Sequence, residues 1–313
     1  MVFRTNDLGD IPYNKGEFDL AFAEFFYNRG NTYYENAEYD LAIADYTEAI
    51  RLNPEYAAAY NDRGIVYFER GDYDLAIMDY NEILKFDPNE AIAYANRGNA
   101  FFHKGDHDRA IEDLTEAISR NPEDDVLYID CGNVYYHNGN YDLAIADYDV
   151  AMRLDPNNAW VHNYRGISYG GKEDHERAIL DFTEAIRLDS DLASAYANRG
   201  YAYCVQKNYD KAIVDLTQAI ELDPNYVVAY INRGCLYEDK EDYDKAIADF
   251  NEAIRLDPDY ALAYANLGEV YYKKGDYDKA IVDLETALRL DPDNAHHRQL
   301  LEEIRQSRDR KGD

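Results

Sequence analysis

The sequence predicts an all-α fold, an α-solenoid of eight 34-residue helix-turn-helix repeats, and three observations carry that prediction. Glycine recurs at positions 30, 64, 98, 132, 166, 200, 234 and 268, always at the same interval, with no insertion or deletion between copies. It closes a triplet, Asn198-Arg199-Gly200, that returns unchanged as Asn28-Arg29-Gly30, Asn96-Arg97-Gly98 and Asn232-Arg233-Gly234. Variants fill the gaps: Asp62-Arg63-Gly64, Asp130-Cys131-Gly132, Tyr164-Arg165-Gly166 and Asn266-Leu267-Gly268. Each period also holds two amphipathic segments separated by a turn such as Lys274-Gly275-Asp276-Tyr277-Asp278. A fixed period of this size marks a stacked array in which each unit contacts only its neighbours.

Residues 1–22 are expected to form an irregular, degenerate N-terminal cap. Asn6-Asp7-Leu8-Gly9 echoes the triplet, and Gly16-Glu17-Phe18-Asp19-Leu20-Ala21 echoes Gly71-Asp72-Tyr73-Asp74-Leu75-Ala76. Gly9 and Gly30 stand too close together for a full period, and Pro12 occupies a place where a helix would have to continue. The repeats occupy residues 23–294, starting at Ala23, Ala57, Ala91, Asp125, Ala159, Ala193, Val227 and Ala261, which puts the recurrent glycine at position 8. In the turn, glycine suits the left-handed end of the first helix, Asp276 the N-cap of the second, and Asp278 its first turn. The second helix is expected to end near Leu290-Asp291-Pro292, the Asp-Pro pair capping and opening the next helix. Residues 295–313, containing Arg298-Gln299-Leu300-Leu301-Glu302-Glu303-Ile304, read as a polar C-terminal capping helix and tail.

Composition narrows the function. A net charge of −31 and a pI near 4.4 argue against nucleic-acid and anionic-membrane partners, which need clustered Lys and Arg. Cys131, Cys204 and Cys235 are odd in number and lack metal-like spacing, which fits a reducing, cytoplasmic setting without disulfides. Neither a signal-peptide core nor a membrane-length apolar run is visible, so a soluble protein is expected. No phosphate-cradling loop, HExxH or nucleophile elbow appears, and the segments outside the repeats are too short for a catalytic domain. His103 and His107 are four apart and His137 shares position 13 with His103, but no third ligand accompanies them. The expectation is therefore no enzyme, no metal and no cofactor.

Repeat 8 supplies Tyr264, Leu267-Gly268, Tyr271, Ala280, Leu284 and Pro292, and every repeat carries Gly at position 8, an aromatic at 11 and Ala at 20. From Ala23 to Asn294 this pattern resembles the tetratricopeptide repeat. The resemblance implies a right-handed superhelix whose first helices line a concave groove that binds protein. Within the framework, the glycines are expected to let helices approach closely, with Ala42, Ala76 and their equivalents as small partners. Arginine at position 7 departs from the family's usual leucine. It is expected to pair with Asp at position 23, as Arg29, Arg63, Arg97, Arg165, Arg199 and Arg233 facing Asp45, Asp79, Asp113, Asp181, Asp215 and Asp249. Cys131 and Leu267 would leave Asp147 and Asp283 to solvent or tyrosine hydroxyls.

Position 6 shares a helical face with positions 2, 5, 9, 12 and 13. Asn28, Asn96, Asn198, Asn232 and Asn266, with Asp62 and Asp130 between, would form a row along the groove. It resembles the asparagine ladder of the O-GlcNAc transferase superhelix, which holds extended polypeptide. An amide can donate to and accept from a peptide bond without reading its side chain; the competing reading is an Asn that bonds its own helix or water. Of 32 tyrosines, 25 sit at framework positions 4, 11, 17, 24 and 34. Tyr34, Tyr136, Tyr164 and Tyr201 instead fall on the groove, with Phe68, Phe102 and Trp160, as recognition aromatics or as packing between repeats.

Eight groove acids, Glu24, Glu35, Asp62, Glu69, Asp130, Glu238, Asp239 and Glu269, face one base, Lys273. The Lys and Arg of the family's carboxylate clamp for acidic tails are absent. The reading is a non-catalytic scaffold that holds an extended neutral or basic polypeptide segment. Two alternatives stand beside it: self-assembly through the degenerate N-terminal unit, and small-ligand or metal binding near Trp160 and His162. Repeat 5, with His162, Tyr164, Gly170-Gly171 and Ser190 in place of the usual residues, reads equally as a hinge between two four-repeat halves or as a degraded repeat.

Overall fold

The computed structural model describes residues 15–312, and among them it contains seventeen α-helices and no strand. The first helices of the repeats are α1 (Lys15–Glu35), α3 (Ala57–Glu69), α5 (Ala91–His103), α7 (Asp125–His137), α9 (Ala159–Gly171), α11 (Ala193–Val205), α13 (Val227–Asp239) and α15 (Ala261–Lys274). The second helices are α2 (Tyr39–Leu52), α4 (Tyr73–Phe86), α6 (His107–Arg120), α8 (Tyr141–Leu154), α10 (His175–Leu188), α12 (Tyr209–Leu222), α14 (Tyr243–Leu256) and α16 (Tyr277–Leu290); α17 (Ala295–Gly312) follows. The chain forms two compact units, residues 1–154 with α1 to α8 and residues 155–313 with α9 to α17.

The irregular cap expected over residues 1–22 is not irregular where it is described. Residues 15–22 continue α1 toward the N-terminus, because no proline stands after Pro12 to stop the helix. Residues 1–14, including Pro12, lie outside the described residues. Gly170-Gly171 does not break α9, which has the same 13 residues as α3 and α5.

Within each unit a first helix packs on its own second helix, and that second helix packs on the next first helix. The triplet glycine makes the first of these contacts close. A Cβ on Gly30 would lie 2.7 Å from the Tyr46 ring, one on Gly234 2.6 Å from Phe250, and one on Gly200 2.9 Å from Leu216 Cγ. The partner is thus the large side chain at position 24, which fills the space a Cβ would need, rather than the alanine at position 20 that the sequence suggests. The alanine contributes only its carbonyl; that of Ala212 lies 3.3 Å from where a Cβ on Gly200 would sit.

Every intra-repeat turn passes through a left-handed residue at position 15. Gly71, Gly105, Gly139 and Gly275 supply four of them, and Ala37, Glu173, Lys207 and Glu241 adopt φ near +60° at the others. Asp106, Asp174 and Asp276 then cap the second helices, accepting from the backbone N–H three residues on. The Asp-Pro pair does not open a helix. Asp257 ends α14, its carboxylate accepts from the N–H of Asp259 at 3.1 Å, and Pro258 rides in that turn, so α15 starts only at Ala261.

All six arginines at position 7 form two-pronged bonds with the expected aspartates. Examples are Arg63 to Asp79 (2.8 and 2.6 Å), Arg97 to Asp113 (2.7 and 2.7 Å) and Arg199 to Asp215 (2.7 and 2.9 Å). Position 25 of the preceding repeat takes the third arm of several: Arg63 Nη1 donates to Thr47, Arg97 to Asn81, Arg199 to Thr183 and Arg233 to Thr217, at 2.5–3.1 Å. One guanidinium therefore ties three helices together.

The exceptions carry a cost. Opposite Cys131, burial raises the Asp147 carboxyl and the thiol's hydrogen bond offsets this only in part. Its Oδ2 is buried with no hydrogen-bond partner, neither solvent nor a tyrosine hydroxyl as expected. Opposite Leu267, burial raises the Asp283 carboxyl to about 6.

This ladder of pairs can be probed rung by rung. Arg199→Ala strands a buried carboxylate and is expected to cost about 3 kcal/mol in urea unfolding. Arg29→Ala should cost clearly less, because the Arg29 side chain is 43% exposed against 16% for Arg199 and water can take over part of its role. For Asp283, the native carboxyl binds its proton more tightly than the unfolded one, so the ionised residue destabilises the fold above pH 6 and the penalty fades as pH falls toward 4. The Tm advantage of Asp283→Asn over the parent should be largest at pH 7.5 and shrink steadily below pH 6; an advantage independent of pH would contradict the assignment.

Candidate protein-binding face

Successive first helices touch one another, α1 with α3, α3 with α5 and α5 with α7 in one unit, α9 with α11, α11 with α13 and α13 with α15 in the other. Successive second helices make no comparable contact. The first-helix face is therefore the concave side of each unit; positions 2, 6, 9, 12 and 13 line it, whereas position 5 is turned inward, with Ala95, Asn163, Ala197, Ile231 and Ala265 buried.

Side chains at position 6 brace this face as well as line it. Asn96 Nδ2 donates to Asn61 Oδ1 at 2.9 Å, and Asn198 Nδ2 to Asn163 Oδ1 at 3.0 Å, each reaching position 5 of the preceding first helix. Asp62 Oδ2 accepts from the Tyr27 hydroxyl across the same pair of positions, at 2.7 Å. Asp130 Oδ2 accepts from Asn99 Nδ2 at 2.8 Å, and Asn266 Nδ2 lies 3.4 Å from Cys235 Sγ, both at position 9 of the preceding repeat. Asn28 and Asn232 make no side-chain hydrogen bond to another described residue. A braced Asn keeps one N–H and its carbonyl oxygen.

The aromatics assemble further than the sequence indicates. Phe68 lies 5.4 Å from Tyr73 and 5.0 Å from His103, which also stacks on Tyr73 at 5.6 Å. Phe102 lies 5.3 Å from His103, 5.6 Å from His107 and 5.2 Å from His137. His137 continues to Tyr136 at 5.3 Å, and Tyr136 to Tyr141 at 5.6 Å. Eight rings form an unbroken chain across repeats 2 to 4, along the C-terminal ends of α3, α5 and α7. Ring faces and helix C-termini both present partial negative charge there. Tyr34 flanks the chain, its hydroxyl donating to Glu69 Oε1 at 2.5 Å, a bond that raises the phenol to about 12.

In the second unit, Trp160 (47% exposed) lies 6.1 Å from Tyr164, and Tyr201 is 55% exposed on the next first helix. His162 does not join Trp160. It is buried, with Nδ1 3.8 Å from Asp181 Oδ1 on α10. Lys273 Nζ is held by Glu238 at 2.8 Å and Glu269 at 3.3 Å. Burial pushes the Cys235 thiol up to about 12 and raises Cys204 as well, which removes thiolate chemistry from the face. Among the described residues no group of His, Cys, Asp and Glu is placed to hold a metal ion, and no helix is long and apolar enough to cross a membrane.

Position 17 is a member of this face that reasoning from sequence misses, and the histidines at 13 are placed on it by their period but not joined to the other rings. Tyr73 and Tyr141 read as framework, and His103 and His137 as isolated imidazoles. The available signal is the recurrence of a ring at 12 or 13 in four consecutive repeats, each followed by a ring at 17.

Models of the tetratricopeptide repeat match residues 27–91, 91–124, 132–172, 193–226 and 231–295, which together exceed half of the chain. No curated protein sequence matches it. Among solved structures, a chain of the APC/C hetero-tetramer Cut9-Hcn1 is similar with a TM-score of 0.66 at 18% identity, over 88% of this chain and 54% of that one. The present chain thus spans about half the length of that match. A tetratricopeptide repeat protein from Parabacteroides merdae is similar with a TM-score of 0.63 at 18% identity, over 79% of this chain and 98% of that one. These likenesses establish the fold.

The braces are separable from the rest of the row by mutation. Asn198→Ala leaves the buried Asn163 amide oxygen unpaired and is expected to cost about 1–2 kcal/mol. Asn28→Ala and Asn232→Ala should be near neutral, and equal losses at all three sites in denaturant titrations would refute the pairing.

Proposed function

The chain belongs to the tetratricopeptide repeat family, and from that premise we propose that it is a non-catalytic scaffold holding an extended, neutral or basic segment of another protein against its first-helix face. The observation that carries this reading is the unbroken chain of eight rings in repeats 2 to 4, set beside the carboxylate of Glu69 and reached from the same face as Asn96. Cationic side chains gain from ring faces, and more so where the surroundings are acidic, as in a chain of net charge −31.

Magnitudes assign the roles. Five amide contacts at about 1 kcal/mol each only begin to offset an association cost of about 4–15 kcal/mol. The rings therefore supply most of the affinity, and the remaining N–H and carbonyl of each Asn fix the path of the bound backbone. Trp160, Tyr164 and Tyr201 are the corresponding anchors in the second unit, and Tyr34, Phe68, Phe102 and Tyr136 those in the first. Three free cysteines fit a reducing, cytoplasmic setting for this binding.

An array of unstructured peptides graded in charge, probed with the labelled chain, tests this. Neutral and basic peptides should be retained over acidic ones, and Phe102→Ala with Tyr136→Ala should weaken retention at least tenfold while helicity is kept. Preference for acidic peptides, or binding untouched by the double variant, would overturn the reading.

A further inference from the structure

Building on the scaffold reading, we propose that a hollow between the starts of α3 and α5 is a subsite for one basic side chain, Lys or Arg, of the segment bound along the first-helix face. The hollow has a volume of about 320 Å³ and lies within the first unit. Ile83 of α4, itself buried, underlies it. Ala58 and Ile92 add apolar lining, and Asn61, Asp62 and Glu90 add polar lining. Ala58 and Ile92 stand at position 2 and Asp62 at position 6 of their repeats, so the hollow opens on the same face as the ring chain.

Other junctions show why a gap is left at this one. Position 34, the last before a first helix, is Tyr56, Leu192, Tyr226 and Tyr260 at four of them. Tyr56 lies 5.0 Å from the Tyr27 ring, Leu192 is buried, and Tyr226 and Tyr260 pack on neighbouring cores. Between repeats 2 and 3 the same position is Glu90, and position 2 is Ala58 where Trp160, Val228 and Leu262 stand elsewhere. A carboxylate thus replaces the apolar side chain that closes the gap in those junctions, and the residue beside it is cut back to a methyl.

The lining selects a cation on an aliphatic stem. It holds two carboxylates and neither Lys nor Arg, and the partners of those carboxylates among the described residues are neutral. Asp62 Oδ2 accepts from the Tyr27 hydroxyl at 2.7 Å and Oδ1 from Asn61 Nδ2 at 3.0 Å, while Asn61 Oδ1 accepts from Asn96 Nδ2 at 2.9 Å. Glu90 Oε1 accepts from the N–H of Ile92 at 3.3 Å. These bonds hold the carboxylates in place without cancelling their charge, so a cation meets acceptors that are already oriented. The two helix starts contribute about half a positive charge each, which two full negative charges outweigh. The stem of Lys or Arg can lie on Ala58, Ile83 and Ile92 with its head at Asp62 and Glu90, the division between apolar and polar surroundings that both side chains favour. Asp62 and Phe68 are six residues apart on α3, about 9 Å along its axis, or about three residues of an extended ligand. The first unit therefore reads a basic residue about three positions from the anchor that meets the ring chain.

Fluorescence anisotropy of the full chain with three labelled peptides tests the subsite. Each is a Gly-Ser chain carrying one Phe and, three positions away, Arg, citrulline or Glu; citrulline keeps the shape of Arg without its charge. The parent should bind the Arg peptide at least fivefold more tightly than the citrulline peptide, and the Glu peptide least. Asp62→Asn with Glu90→Gln should erase that preference, keep parental helicity and leave the citrulline affinity unchanged; Asn is the residue that most other repeats hold at position 6. Glu90→Tyr, which restores the ring of other junctions, should erase it as well. Glu112→Gln with Glu302→Gln removes as many charges from exposed sites on α6 and α17 and should retain the full preference, which separates the subsite from the general attraction of a chain of charge −31. Equal affinity for the Arg and citrulline peptides, a preference that survives in both hollow variants, or one lost equally in the Glu112 and Glu302 variant would overturn the subsite and leave the scaffold reading standing. Failure of every peptide to bind at millimolar concentration would overturn both.

Discussion

The architecture depends on the guanidinium–carboxylate pair between positions 7 and 23. Each of the six paired aspartates lies in the interior, where an unpaired carboxylate is untenable, and each is met by two parallel N–H bonds from its arginine. The neighbouring glycine lets the ring or leucine at 24 fill the groove between the two helices, which sets the distance at which the pair can form. The third arm then carries the tie to the preceding second helix. A single residue type thus couples the hairpin to the stack. Where it is missing, at Cys131 and Leu267, the aspartates are left with raised carboxyls, and the Cys131 thiol compensates Asp147 only in part.

The part of the fold legible in the sequence is the part written within one period. The start of every first helix after α1, the left-handed turn residue, the capping aspartates and the six arginine–aspartate pairs all join positions inside a 34-residue unit. What stays hidden joins different units. The braces from Asn96 to Asn61 and from Asn99 to Asp130 span 35 and 31 residues, offsets that only the stacking geometry can select. The third arginine arm is hidden for the same reason, since Thr47 and Asn81 look like solvent-facing polar residues until the next repeat is laid against them. Two local differences have other causes. In isolation both residues of an Asp-Pro pair favour a helix opening, yet the Asp257 carboxylate bonds the Asp259 N–H one turn earlier and closes a turn instead. Pro12 argues for an irregular segment, yet its influence ends before Lys15.

The candidate face divides along the same line. Its members are identifiable one by one from helical period, but their arrangement is not. The sequence offers separate rings at position 12 and separate histidines at 13, while the structure joins them through Tyr73 and Tyr141 into one surface. The asparagine row moves the other way. It looks uniform in sequence, and it separates into braced members such as Asn96 and Asn198 and unbraced ones such as Asn28 and Asn232. A braced amide is held in orientation before any ligand arrives, so it loses less freedom on binding than a mobile one. Bracing and recognition are therefore compatible in one side chain.

Variation between repeats locates selectivity. Positions 7, 8, 20, 23 and 24 are nearly uniform along the chain, and all of them are engaged in holding repeats together, so they cannot distinguish one partner from another. Position 12 does change, from Tyr34, Phe68, Phe102 and Tyr136 in the first unit to Gly170, Cys204 and Glu238 in the second, before Tyr272 restores a ring. The groove rings of the second unit, exposed Trp160 and Tyr201 and half-buried Tyr164, stand instead at positions 2, 9 and 6, nearer the starts of their helices. A cationic or aromatic anchor that suits the C-terminal ends of α3, α5 and α7 therefore finds no equivalent at those of α9, α11 and α13, where small and acidic groups take over. Under the proposed reading, the first-helix face of each unit therefore suits its own ligand chemistry.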